Sequence, residues 1–332
     1  MPDMTFRCML VQENEDKSFT RSIVTRSVDE LPEGELLIKV HYSSLNYKDA
    51  LSATGNKGVT RNFPHTPGID AAGEVAWCGD GTFVEGEMVL VTGYDLGMNT
   101  SGGFGQYIRV PSSWAVRLPA GLTPREAMVI GTAGFTAALC VQGLEHGGVV
   151  PGDGEVVVTG ATGGVGSVAV SILGQAGYIV TAVTGKPDAE EYLLSLGASR
   201  VVNRGGVLEG ADRPMMKEIW AGAVDVVGGQ TLAAVIKSTR YGGVVTCCGL
   251  VGSPDLPLNV FPFILRGVSL VGIDSVQVAM EPREKVWERL SGEWKPDHLE
   301  SSVTEVSLEE LDGKIDEILA GKIKGRVVVN LH

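Results

Sequence analysis

The chain has 332 residues, of which 44% are hydrophobic and 20% charged, long enough for two domains that each bury a core. Its 45 glycines follow no G-X-Y period, which excludes collagen, and its apolar share excludes a disordered chain. With 27 Lys and Arg against 40 Asp and Glu, the net charge of −13 gives a surface that repels nucleic acid and anionic lipid, so any polyanionic ligand needs cations gathered locally.

The N-terminus, Met1-Pro2-Asp3-Met4, lacks the basic, apolar and small-residue order of a signal peptide, and no apolar run is expected to span a membrane. The expected compartment is the cytoplasm. Alternation and apolar runs predict strands at 35–42, 68–76 and 88–92, separated by Pro32, Gly34, Pro64, Pro67, Gly79, Gly81 and Gly86. These make a β-rich unit that carries loops. From about Pro124 the pattern predicts a helix, then apolar strands at 156–159, 178–184, 200–202, 224–227, 244–247 and 269–273 alternating with helices. Strands without polar alternation, separated by helices, imply a parallel sheet covered on both faces. An amphipathic helix at 308–319 and a last strand at 325–331 are too short to stand alone and are expected to return to the N-terminal unit. The predicted architecture is α/β: a discontinuous β-rich domain (1–124 and 303–332) and a doubly wound cofactor domain (125–302).

The run Val156-Val157-Val158-Thr159-Gly160-Ala161-Thr162-Gly163-Gly164-Val165-Gly166-Ser167 is a buried strand leading through glycines into a helix. Glycines there permit a tight turn and bring backbone N–H groups and a helix N-terminus onto a pyrophosphate. Val165, Val168, Ala169, Ile172 and Leu173 recur at helical spacing and predict one apolar face. The spacing is G-x-x-G-x-x-G, and an ordinary strand–helix corner is the alternative. An NAD site would place an acid at the end of the second strand to bind the ribose hydroxyls. Here stands Thr184-Gly185-Lys186, and a hydroxyl, a backbone N–H and an ammonium suit a 2′-phosphate. Arg204, after the third strand, offers a second cation, while Asp188 is the alternative ribose partner. The expected cofactor is NADPH.

Cys8, Cys78, Cys140, Cys247 and Cys248 form no C-x-x-C pair, which argues against a disulfide framework or a structural zinc knot. Cys247 and Cys248 are expected as small core residues, and Trp220, Trp287 and Trp294 as helix anchors. Residues 54–59 are punctuated by glycine and read either as a mobile loop or as a plain turn.

In these segments the chain resembles the medium-chain dehydrogenase/reductase superfamily, in its zinc-free quinone-oxidoreductase branch. The matching pieces are Asn46-Tyr47-Lys48-Asp49, Pro67-Gly68-Ile69-Asp70-Ala71-Ala72-Gly73, Gly102-Gly103-Phe104-Gly105-Gln106-Tyr107, Gly134-Phe135-Thr136-Ala137 and the glycine turn. Ser43-Ser44-Leu45 before Asn46, Thr184-Gly185-Lys186, Pro262-Phe263-Ile264-Leu265-Arg266-Gly267 and Gly272-Ile273-Asp274-Ser275-Val276 resemble the acrylyl-CoA reductases more closely.

The resemblance implies a GroES-like catalytic domain joined to a Rossmann domain, a homodimer, and NADPH held by Tyr47, Gly163, Gly164, Val165, Gly166, Thr184, Gly185, Lys186, Arg204, Leu250, Ile264, Ser275 and Arg326. It implies hydride transfer to the β-carbon of acrylyl-CoA or a similar short enoyl-CoA, giving propanoyl-CoA from acrylyl-CoA. Tyr47 and Asn46 then carry the catalytic donors, and Lys48, Lys57, Arg61 and Arg266 are the candidate cations for the CoA tail. Zinc-dependent relatives carry a Cys before the Asp and Gly-His-Glu where this chain has Gly68-Ile69-Asp70, so no metal is expected; His41, His65 and Cys78 match no zinc spacing. Two other readings stay open: a quinone or enone reductase, and a non-catalytic NADPH-binding protein. Neither nucleic acid nor a membrane is an expected partner.

Overall fold

The computed structural model describes residues 4–296 and 299–332. Two compact units emerge: Met1–Thr132 with Val276–Ser291 and Ser302–His332, and Ala133–Ser275 with Gly292–Ser301.

The first unit opens with an antiparallel hairpin of β1 (Thr5–Glu13) and β2 (Phe19–Ser27). Next come β3 (Leu36–Leu45), the short helix α1 (Tyr47–Ala53), β4 (Asp70–Cys78), β5 (Met88–Thr92), β6 (Tyr107–Val110) and β7 (Ala115–Arg117). The expected strands are present, but alternation alone did not single out the hairpin. Its β2 has no fully buried residue, so the apolar signal that marks a strand is weak there.

Helix α2 (Pro124–His146) breaks at Gly131, whose φ of 51° and ψ of −163° lie outside helical values. This segment corrects the expectation about apolar length. It is long and apolar enough to cross a membrane, but 78% of its apolar window is buried inside the protein, as in a core helix.

In the second unit β8 (Glu155–Val158), α3 (Gly164–Gln175), β9 (Ile179–Thr184), α4 (Glu190–Ser195), β10 (Arg200–Asn203), α5 (Arg204–Leu208), β11 (Trp220–Asp225), α6 (Gly229–Ser238), β12 (Thr239–Cys247), α7 (Phe261–Arg266) and β13 (Ser269–Gly272) alternate. The strands form one parallel sheet in the order β10-β9-β8-β11-β12-β13. The order reverses between β8 and β11, and such a switch point is where open α/β sheets bind ligands. Helix α3 is buried all round from Gly166 to Leu173, more than the single apolar face expected, because small residues let it lie close on the sheet.

The chain then returns to the first unit with α8 (Met280–Ser291), β14 (Val303–Ser307), α9 (Leu311–Leu319) and β15 (Arg326–Asn330). Strand β15 pairs antiparallel with β3 and parallel with β14. The tail thus completes the N-terminal sheet, and Leu311 and Ile315 of α9 join its core with Ala50 and Ala53 of α1. Helix α8 belongs to the first unit because Arg283, fully buried, donates through Nη1 to the Thr92 carbonyl at 2.7 Å. A simple cut at 303 does not anticipate this segment.

Candidate active site

In the second unit, β8 ends at Val158 and the chain turns through Gly160, at φ 58°, into α3. The Gly163 N–H donates to the Gly160 carbonyl at 3.0 Å and closes the turn. A Cβ on Gly166 would press into the Gly160 carbonyl oxygen and stand 2.8 Å from Ala161 Cα, both rigid backbone atoms. One on Gly163 would meet only that oxygen, at an ordinary 3.4 Å. Gly166 therefore serves the close packing of helix on turn, and Gly163 leaves space at the helix N-terminus where an anion docks. The turn fits a dinucleotide phosphate.

At the end of β9, Thr184 is buried and its Oγ1 accepts the Lys186 N–H at 3.0 Å. Gly185 lies beside Arg204, the first residue of α5: a Cβ on Gly185 would be 3.3 Å from Arg204 Nη2. The structure thus brings Thr184, Gly185, Lys186 and Arg204 together at one strand end. Leu250 and Ile264 are 65% and 69% exposed, open to a ligand, while Ser275 Oγ accepts the Thr136 hydroxyl at 2.7 Å. Asp225, which sequence reading passed over, is buried at the end of β11 and accepts from Thr159 Oγ1 at 2.7 Å and from the Gly228 N–H at 2.7 Å. Burial pushes its pKa up. An acid closing an apolar strand was the available signal.

In the first unit, Tyr47 begins α1 and is 45% exposed, and its phenol makes no hydrogen bond among the described residues. Its phenol is free to meet a ligand. Next to Tyr47 in the chain, Asn46 and Asp49 join Ser44, Asp70, Arg326 and the part-buried Thr132 in a polar network. Asp70 Oδ2 accepts from Ser44 Oγ at 2.5 Å and Asn46 Nδ2 at 2.8 Å, and Oδ1 from Thr132 Oγ1 at 2.5 Å. Asp49 accepts the N–H of Asn46 at 2.7 Å and of Ile69 at 2.8 Å. Burial, and then the neighbouring Asp70, pushes Asp49 up to about 7. Arg326 donates to the Val129 carbonyl at 2.9 Å, Asn46 Oδ1 at 3.2 Å and Ser44 Oγ at 2.9 Å, with Asp70 Oδ2 at 4.0 Å.

This network revises two expectations. Asn46 has both ends of its amide engaged by the protein, so it positions the start of α1 and is no free donor for substrate. Arg326 is 3% exposed, so its guanidinium is a buried counter-charge and not an open cofactor contact. A catalytic metal does not fit here either: Asn46 and Ile69 offer no zinc ligand, and Arg326 already faces Asp70. Among the described residues no group of three His, Cys, Asp or Glu is placed to hold a metal. His65 Nε2 lies 2.9 Å from the Gly97 carbonyl, and Cys78 donates to Asp80 at 3.0 Å.

The cations assigned to a CoA tail divide. Arg266 is a correction: Nη1 donates to the carbonyls of Lys237 at 2.9 Å and Thr239 at 3.3 Å, Nη2 to that of Met216 at 2.7 Å, and Nε lies 3.3 Å from Glu218. It is a strut that ties α7 to the start of β12. Arg266→Ala is expected to cost about 1–3 kcal/mol of stability in urea unfolding while changing KM equally for a CoA ester and a CoA-free enone. Lys57 is also engaged, 2.7 Å from Glu13 and 4.6 Å from the Phe63 ring centroid. Lys48 and Arg61 make no ion pair among the described residues. The 54–59 segment is a packed turn, since Gly55, at φ 82°, lies against the Phe19 ring. Trp220 opens a strand and is not on a helix, whereas Trp287 is in α8. Cys247 packs on the core of the second unit, as expected of a small apolar residue.

Residues 32–120 match the family described as alcohol dehydrogenase GroES-like domain, and residues 164–292 that described as zinc-binding dehydrogenase. An acrylyl-CoA reductase, AcuI, of Ruegeria pomeroyi is 45% identical over 98% of this chain and 99% of its own length. The Bacillus subtilis protein YhfP, provisionally named a quinone oxidoreductase, is 48% identical over 98% of this chain and 99% of its own. The crystal structure of Escherichia coli YhdH with bound NADPH superposes with a TM-score of 0.94 at 47% identity, over 98% of this chain and 100% of that one. That of Bacillus subtilis yhfP with NAD bound gives 0.96 at 47% identity, over 99% and 100%. With these relatives spanning nearly its whole length, the chain belongs to the medium-chain dehydrogenase/reductase superfamily, in the subfamily of the acrylyl-CoA reductases.

Proposed function

We propose that the protein is an NADPH-dependent reductase of acrylyl-CoA or a similarly short α,β-unsaturated acyl-CoA, adding hydride at the β-carbon and a proton at the α-carbon. The observation that carries this reading is the cofactor turn with the Thr184-Gly185-Lys186 and Arg204 cluster, in a chain 45% identical to a named acrylyl-CoA reductase. Bound NADPH supplies the hydride. The protein's part is to orient it and to meet the charge that grows on the thioester oxygen. Gly164, Val165 and Gly166 present backbone N–H groups and a helix N-terminus to the pyrophosphate, and Gly163, its own N–H closing the turn, leaves the anion room to approach. Arg204 and Lys186 hold the 2′-phosphate, and residues 184–187 carry no acid to oppose it. Tyr47, exposed and unpartnered, donates to the substrate oxygen or relays the proton, on a helix start fixed by Asn46 and Asp49. Lys48 and Arg61 remain the candidates for the CoA phosphates.

Tyr47→Phe is expected to lower kcat by about 10²-fold with NADPH affinity nearly unchanged; full turnover would remove the role. Arg204→Ala is expected to raise KM for NADPH about tenfold, the scale of one charged hydrogen bond, and to leave KM for NADH as it was. The deciding assay follows NADPH consumption with acrylyl-CoA, crotonyl-CoA and a simple quinone at matched concentrations, with NADH as control. Preference for the quinone would establish the quinone-reductase reading, which the provisional name of YhfP favours. No turnover with any acceptor would leave a non-catalytic NADPH-binding protein.

A cytoplasmic homodimer built through the second unit is part of the same reading. Its support is that β13 is an edge strand and that Val260, Phe261 and Leu265 are exposed just before it in the chain. Light scattering on the purified protein tests the dimer.

A further inference from the structure

The second unit holds a cavity of about 370 Å³ walled by β10, α5, the segment after α5 and the start of β11. Trp220 pairs with Glu155, the first residue of β8, so the cavity reaches the strand ends opposite the glycine turn. Its floor is apolar, from Val202, Val207 and Met216 of the core. Trp220 in its wall is 4% exposed and adds its ring to the apolar lining. Arg213 and Lys217 in the rim make no ion pair among the described residues, whereas Arg200 is paired with Glu155. Glu209 adds one acid to the wall, so the two free cations leave a net positive rim.

We propose that this cavity binds a short aliphatic carboxylate, its hydrocarbon on the apolar floor and its carboxylate received by Arg213 and Lys217. Its volume is near the lower end of ligand sites, about 300–1,000 Å³, which suits a small acid and not a second nucleotide. The site is coupled to the cofactor end of the sheet by α5. That helix lines the cavity with Gly206 and Val207 and begins with Arg204 beside Gly185. An occupied cavity holds α5 in place, and Arg204 with it. This coupling rests on the NADPH assignment above; the binding itself does not.

The test is calorimetric titration of hexanoate into the full chain, with 1-hexanol as the uncharged control, without and with saturating NADPH. Hexanoate is expected to bind with Kd of about 1 mM or tighter and at least about tenfold better than hexanol. The surface variant Arg213→Ala/Lys217→Ala should weaken it about fivefold or more, and NADPH should tighten it about fivefold, with the reciprocal effect on NADPH. No saturable binding to the folded chain, or equal binding by the wild type and the surface variant, would overturn the site. Binding that NADPH leaves unchanged, in a chain that does bind NADPH, would overturn the coupling through α5. Failure to bind NADPH at all would instead count against the cofactor assignment, while the hexanoate arm would still decide the cavity.

Discussion

Arg326→Met is expected to destabilise the protein by about 3–5 kcal/mol, the cost of leaving a buried charge without its partner. The side chain of Met fills much of the same space, so the loss isolates the guanidinium. Without it Asp70 keeps its Ser44, Asn46 and Thr132 donors but has no counter-charge. The deficit should depend on pH. In the folded protein Asp49 is pushed up to about 7 from an ordinary value near 3.8. The native state therefore holds a proton that the unfolded chain has released over that interval, and stability falls as pH rises from about 4 to 7, then levels. With Asp49 neutral the network has one cation against one anion; with Asp49 ionised it has two anions. Removing Arg326 should therefore hurt more at pH 8 than at pH 5. Urea unfolding of wild type and variant at both values measures this, and a deficit below 1 kcal/mol at pH 8 would place Arg326 outside the network's charge balance.

Gly166→Ala is expected to have the largest effect on the cofactor end. The added methyl meets the Gly160 carbonyl and Ala161 Cα, and α3 must retreat from the turn to make room. Such overpacking costs about 1–3 kcal/mol of stability, and displaced N–H groups should weaken NADPH binding by about 10–100-fold. Gly163→Ala is the discriminating comparison. Its methyl finds ordinary contact distance inside the protein, so its stability should change little. If it nevertheless loses NADPH, the glycine is there for the ligand; if it keeps full affinity, phosphate does not approach at Gly163. Titration by the quenching of protein fluorescence, with thermal melts alongside, separates the two effects.

Much of the fold was legible because its signals are local. The apolar strands of the second unit need no neighbours to be recognised, and neither does the passage from Val158 through glycines into α3. The end of β9 was legible only in part: Thr184-Gly185-Lys186 carries no acid, but Asp188 two residues on stood as the alternative ribose partner. The first unit was harder to read. Its β1–β2 hairpin lacks a strong apolar code, and α1 is only seven residues long, too short for periodicity to show.

The sequence by itself determined the two-part architecture, the strand–turn–helix passage and the residue types at the end of β9, because each depends on residues within a few positions of one another. Tertiary structure alone decided which charged residues are available. Arg326 and Asn46 are 280 positions apart and meet because β15 pairs with β3, which turns two expected ligand contacts into one buried network. Arg266 and Met216, 50 apart, meet through a strut that removes a cation from the substrate's reach. Trp220 is buried beside a cavity only because β10, α5 and β11 close around it. Side-chain type sets what a residue is able to do, and long-range packing sets whether its donors and charges are already satisfied.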